Sequence, residues 1–240
     1  MIKSGENEAT LSIGKDEIIV EGEPDAQMTV FFSKSAVQEM DKVYGPIFTR
    51  MVSENALKFE AEKLNEKPPE NIRGLDQVTD YILANLNRYS RGYCAIFFGI
   101  AKTEKNLQGS IGAGGRRAAF NAMKAIIESS GLLNSVIGTT EDTLEALAKY
   151  MEMANAAKLT LSMRLNREEN NDVTLVVPNC PYKDACRTYP KEGISRLVGG
   201  SECTNLTCLT VVSEIITKKH MDYRLGEFDK PECKGRIFEV

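Results

Sequence analysis

Apolar residues recur at two different periods along this chain, and the switches between them outline its elements. Residues 9–22, "ATLSIGKDEIIVEG", alternate apolar and polar about Gly14-Lys15-Asp16, which predicts a short β-hairpin. From 35 to 64 the period lengthens, with Val37, Met40, Tyr44, Ile47, Phe48, Met51 and Val52 at helical spacing. Gly45-Pro46 should kink or split that helix, because proline lacks an amide hydrogen and its ring clashes with the preceding turn. "EKPPEN" at 66–71 is a break, and Leu75, Val78, Ile82 and Leu86 mark another amphipathic helix. The run "YCAIFFGI" at 93–100 is apolar throughout and reads as a buried strand, followed by a loop over "KTEKNLQGSIGAGG".

Beyond Gly114 the helical period returns. Ala119, Ala122, Met123, Ile126 and Ile127 share one face within 116–130. "TTEDTLEALAKYMEMANA" opens on Thr139 and Thr140 with acids close behind, a helix start suited to unpaired amides, and Leu144, Leu147, Ala148 and Met151 continue it. The period then shortens to two. Leu159, Leu161, Met163 and Leu165 alternate in "KLTLSMRL", and the polar turn "NREENND" leads into "VTLVVP" as an antiparallel hairpin. A helix over about 204–219 and a closing strand "RIFEV" at 236–240 complete the order. The expectation is an α/β protein of the α+β kind, with helices packed on an antiparallel sheet. Residues 1–110 would form a helical and hairpin extension, and 111–240 a second unit.

Charge narrows the partners. Thirty basic residues against 34 acidic ones give a net charge of −4, with the two signs intermixed. Nucleic-acid binding needs a basic stripe, and the absence of tryptophan weakens the case for base stacking, so nucleic acid is not an expected partner. No apolar run reaches the roughly 18 residues of a membrane span. The polar start "MIKSGENEATLSIGKDE" has no basic-then-apolar leader pattern. A cytoplasmic protein with no membrane partner is expected.

The cysteines carry the chemistry. Cys180, Cys186, Cys203 and Cys208 lie within "CPYKDACRTYPKEGISRLVGGSECTNLTC", and Cys233 follows. In a reducing compartment, crowded thiols point to metal ligation or redox chemistry more than to disulfides. The intervals of five, sixteen and four residues are looser than a zinc knuckle and differ from the ferredoxin run, so spacing leaves zinc and a 4Fe-4S cluster both open. A site of Cys180, Cys186, Cys203 and Cys208 is what the spacing favours, with Cys233 in reserve. The plain alternative is a set of buried cysteines acting as small hydrophobes.

Other signals are weaker. "GSIGAGGRR" offers Gly112, Gly114, Gly115, Arg116 and Arg117 as an anion-binding loop at a helix start, although a tight turn explains the glycines as well. Cys94 reads as core. His220, the one histidine, reads as a surface residue at a helix end. No hydrolytic triad or H-E-x-x-H pattern is present, so no catalytic residue is assigned.

From about Gly114 onward the chain resembles the 4-vinyl-reductase-like domain family. The resemblance is carried by "GAGGRRAAFNAMKAI", the hairpin "KLTLSMRL…DVTLVVPNC", "GGSECTNLTCLTVVSEII" and "GEFDKPECKGRIFEV". It implies a domain shared with aromatic-sensing transcription activators and vesicle-tethering subunits, with zinc held beside an apolar ligand pocket. By position it implies Cys203, Glu227 and Cys233 as ligands, whereas Cys180, Cys186 and Cys208 are additions of this chain. The resulting expectation is a dimeric protein that binds or senses a small apolar ligand and holds a cysteine-bound metal. The alternatives are an iron–sulfur redox protein and a protein–protein assembly module.

Overall fold

The chain opens with the hairpin that its alternation predicts. In the computed structural model, which describes residues 10–111, 114–157, 159, 161–194, 203–226 and 232–240 (108–111 and 114–118 by backbone alone), β1 is Thr10–Ile13 and β2 Glu17–Glu21. Two long helices follow, α1 over Ala26–Tyr44 and α2 over Pro46–Lys63, split where Gly45-Pro46 requires it. Gly45 takes a φ of 78°, open to glycine at little cost, and Pro46 starts α2 where a missing amide hydrogen is harmless. Helix α3 spans Leu75–Asn85 and α4 Tyr93–Ile111.

Helix α4 corrects two expectations, the strand at 93–100 and the loop after it. Residues 94–98 are all buried because α4 lies deep among the helices, most extensively against α2. A helix covered on every side shows no polar face, so its sequence looks like a buried strand. Gly99 permits the approach: a Cβ there would lie 2.6 Å from the carbonyl oxygen of Val52 on α2.

Helix α5 covers Gly114–Ser130 and α6 Thr143–Ala156. The cap of α6 is Asp142, not Thr139 or Thr140; its carboxylate accepts from the backbone amide of Glu145 at 2.8 Å. Strand β3 is Met163–Arg167 and β4 Val173–Pro178, joined by a short turn in which Asn170 and Asn171 take positive φ. Leu159 and Leu161 precede β3 instead of belonging to it, because the pairing of β2 with β3 ends at Gly22 and Ser162, which exchange hydrogen bonds. Helix α7, Lys183–Thr188, sits inside the cysteine-rich stretch, and α8 spans Thr204–Thr217. The last hairpin pairs β5, Met221–Leu225, with β6, Glu232–Glu239, which is longer than the expected closing strand.

The fold is α+β, with eight helices and one six-stranded sheet among the described residues, every neighbouring pair antiparallel, in the order β1-β2-β3-β4-β6-β5. The N-terminal hairpin therefore extends the sheet built by the C-terminal half, with Ile18 opposite Leu165. Alternation puts Ile18, Leu165, Leu175 and Ile237 inward, where α6 and α8 cover them. A second apolar core fills the space among α1 to α4 and reaches α7. Tyr182 packs against both cores and sets its ring edge-on to Tyr93 and Phe97, at centroid distances of 5.6 and 4.7 Å.

Candidate functional site

The cysteine-rich stretch lies where the two cores meet. Cys180 follows β4 by two residues, and Cys233 stands on β6 directly opposite Val177. Both thiols are buried in the sheet-side core, against which Cys203 and Cys208 also pack. Cys186, on α7, and Cys94, on α4, belong to the helical core. All six cysteines are free.

Cys180 is the centre of the thiol group. It is hydrogen-bonded to Cys233 and lies within electrostatic reach of Cys203 and Cys186. Its proton is held far more firmly than in an ordinary thiol. The bond to Cys233 contributes most, followed by burial and then by the negative charge that the neighbouring thiols would carry if ionised. The side-chain amide of Asn205 donates to Cys180 Sγ at 3.7 Å. Burial likewise raises the pKa of Cys94, whose Sγ donates to the carbonyl oxygen of Pro181 at 3.3 Å. The structure thus pairs Cys180 with Cys233, leaves Cys186 and Cys203 at longer electrostatic reach of it, and sets Cys208 against Tyr150. Among the described residues, no three Cys, His, Asp or Glu side chains are close enough to one point to hold a metal ion.

Cys208 faces Tyr150, with Sγ 3.5 Å from the phenolic oxygen. Both line a cavity of about 80 Å³ walled by Phe32, Met151, Leu161, Met163 and Leu209, with Asn205 and Tyr182 at its margin. Tyr150, Tyr182 and Cys208 each keep some accessible surface, yet burial is the largest influence raising the pKa of all three. Leu159 and Leu161, freed from the strand that the alternation predicted, supply part of its wall. Sequence reasoning did not locate this cavity, because its walls come from the start of α1, from α6, the approach to β3, the α7 segment and α8.

The first turn of α8 serves both features. Thr204, Asn205 and Cys208 line the cavity, while Cys203, whose carbonyl oxygen accepts from the amide of Thr207, lies beside Cys180. Of the remaining residues singled out in the sequence, Glu227 and Gly112 lie outside the described residues. Gly114 opens α5, and Gly115, Arg116 and Arg117 continue it by backbone alone. The side chain of His220 is 91% exposed, 3.9 Å from Glu214. No helix among the described residues is long and apolar enough to cross a membrane. The chain matches no protein-family model, no curated protein and no solved structure.

Proposed function

We propose that the protein binds a small, largely apolar molecule in the cavity between α1, α6 and α8. The observation that carries this reading is the wall itself: aliphatic, thioether and aromatic groups, interrupted by Tyr150, Asn205 and Cys208. A few polar groups set into an apolar wall are what orients a bound ligand. An engineered cavity of roughly 150 Å³ lined by such side chains stays dry and takes up benzene, so about 80 Å³ suits a smaller body or the end of a longer chain. The likeness to small-molecule-binding domains expected from the sequence of the C-terminal half points the same way, and six free thiols suit a cytoplasmic setting.

Xenon, smaller than benzene, is a suitable first probe, with binding followed through the methyl resonances of Met151 and Met163. Saturable shifts of both methyls, lost in Leu161→Trp, are expected. Unchanged methyls up to the solubility limit of the probe would overturn the reading.

The thiols favour a second reading, in which the protein also holds zinc or an iron–sulfur cluster. Cys180 and Cys233 would anchor it, and Cys186 and Cys203, which lie within electrostatic reach of Cys180 but do not converge with it on one point here, would have to draw in to complete the ligand set. Thiolate is the ligand chemistry that both groups select. Zinc would supply a structural tie between β4, α7, α8 and β6, and a cluster would add electron transfer. Elemental analysis with a visible spectrum, on protein purified without oxygen, separates zinc from iron, and the absence of both would overturn this reading.

A further inference from the structure

Glu60 belongs neither to the cavity nor to the thiols, yet it is the most anomalous charged residue type in the helical core. It stands on α2 with 0% exposure, and among the described residues neither carboxyl oxygen has a hydrogen-bond partner. Removing a carboxylate from water without a partner is so unfavourable that the group keeps its proton instead. Burial pushes the pKa of Glu60 up to about 7, and it is the only influence of consequence.

Gly92 makes the room for this carboxyl. A Cβ at that position would lie 3.3 Å from Glu60 Oε1, 3.3 Å from Leu86 Cδ2 and 2.7 Å from Ile82 Cγ2. The carboxyl therefore looks into the junction between α3 and α4, residues 86–92. Two titratable groups face it there, Tyr81 on α3 and Tyr89 in the junction, and a charge on Glu60 contributes to raising the pKa of both. Among the described residues of α1 and α4, no charged group biases Glu60.

The junction also reaches the thiol segment. Tyr89 donates its hydroxyl to Asp184 Oδ2 on α7 at 3.0 Å, and Arg91 stands 3.7 Å from the other oxygen of the same carboxylate. Cys186 lies on that helix, and Cys94 bonds the carbonyl oxygen of Pro181 just before it.

We propose that Glu60 is a protonation switch for the α3–α4 junction. With the carboxyl neutral, the junction stays closed on α2. With it ionised, the junction parts to admit water, and the hold of Tyr89 on α7 loosens.

The sign of the effect follows from linkage. An unfolded glutamate titrates near pH 4.3, at roughly the ordinary value. A folded-state value near 7 means that the native state binds the extra proton between those limits. Stability therefore falls as pH rises through that window and is level above it. The window is otherwise sparsely populated, because the chain has one histidine and that side chain is on the surface.

The test compares thermal unfolding of the unsubstituted protein, Glu60→Gln and His220→Gln from pH 5 to 8.5, with amide hydrogen exchange over residues 86–95. The midpoint of the unsubstituted protein should fall between pH 5 and 7 and then level off. The advantage of Glu60→Gln should grow over the same range by about 4 °C. His220→Gln should track the unsubstituted protein. Protection over 86–95 should drop above pH 7, except in Glu60→Gln. Parallel profiles for Glu60→Gln and the unsubstituted protein would overturn the switch, as would diverging profiles with constant protection. If Glu60→Gln does not fold, the carboxyl carbon of Glu60 can be titrated by NMR in the unsubstituted chain. A midpoint near 7 supports the proposal and one below about 5.5 overturns it, being close to the ordinary glutamate value.

Discussion

Asn205 gives its side-chain amide to the sulfur of Cys180 at 3.7 Å, and the same side chain forms part of the cavity wall. It is buried at 6% exposure, on the first turn of a helix whose N-cap residue, Cys203, lies within electrostatic reach of Cys180. One buried amide thus joins the two features that distinguish this protein. Sulfur is a weak acceptor when protonated and a stronger one as thiolate, so the bond is at its weakest in the neutral thiol. Asn205→Leu should lower unfolding free energy by about 1–2 kcal/mol, the range for losing a buried hydrogen bond. Urea unfolding measures this, and an unchanged midpoint would mean that the bond contributes nothing.

The thiols can be told apart by substitution. Cys180 is hydrogen-bonded to Cys233 and within electrostatic reach of Cys203 and Cys186, whereas Cys208 is paired with Tyr150. If the protein takes up zinc, Cys208→Ser should keep about one ion per chain, and Cys180→Ser should lose it along with the stability the metal provides. The firmly held proton of Cys180 also sets a direction with pH. Zinc must displace that proton, so uptake should strengthen as pH rises and should release protons to buffer. Equal zinc content in the two variants would separate the metal from Cys180.

Two glycines sit at close approaches, one in each core. A Cβ on Gly99 would lie 2.6 Å from the backbone carbonyl oxygen of Val52, and one on Gly235 would lie 2.4 Å from Leu206 Cδ1. Backbone cannot swing aside and a leucine side chain can. Gly99→Ala should therefore be the more damaging, forcing α2 and α4 apart at a cost of about 1–3 kcal/mol or more. Gly235→Ala should be milder, and should be rescued in part by Leu206→Ala. Thermal unfolding of the three variants tests the order, and the reverse order would place the tighter contact between α8 and β6.

The extent to which the sequence announced this arrangement follows from how local each signal is. The first hairpin, the split at Gly45-Pro46, α3 and the β3–β4 hairpin are all fixed by residues adjacent in the chain, and they are legible. Helix α4 was not, because Cys94 to Phe98 are buried on every side and period fails when no face is polar. Helix α7, of six residues, is too short to show a period. The crowding of thiols was evident, but the choice of Cys233 over Cys208 as the neighbour of Cys180 depends on the register that sets Val177 opposite Cys233. The cavity was out of reach for the same reason, since residues as far apart as Phe32 and Leu209 share its wall.

Asp142 offers the last test, at the far end of the sheet-side core from the thiols. Its carboxylate caps α6 through the amide of Glu145 and is gripped by both terminal nitrogens of Arg167, the last residue of β3, with Nη2 to Oδ1 at 3.1 Å. Arg167 also reaches Asp16 Oδ1 in the first hairpin turn at 3.2 Å. Asp142 therefore ties a helix start to two strands. Burial alone would raise its pKa, but the bonds from Arg167 and from the Glu145 amide outweigh it, and the net direction is downward. A lowered carboxyl stabilises the fold above its unfolded value near pH 3.9 and loses that contribution as pH falls through the lower folded value. Asp142→Ala should cost about 1–2 kcal/mol at neutral pH, the range for a lost cap. Asp142→Asn, which keeps a capping oxygen and gives up the charge, should cost less. Measured by urea unfolding, the gap between Asp142→Ala and the unsubstituted protein should narrow as pH falls past the unfolded value to the depressed folded one, below which the carboxyl is neutral in both states. A gap that stays constant down to that pH would assign the whole effect to the cap and none to the ion pair with Arg167.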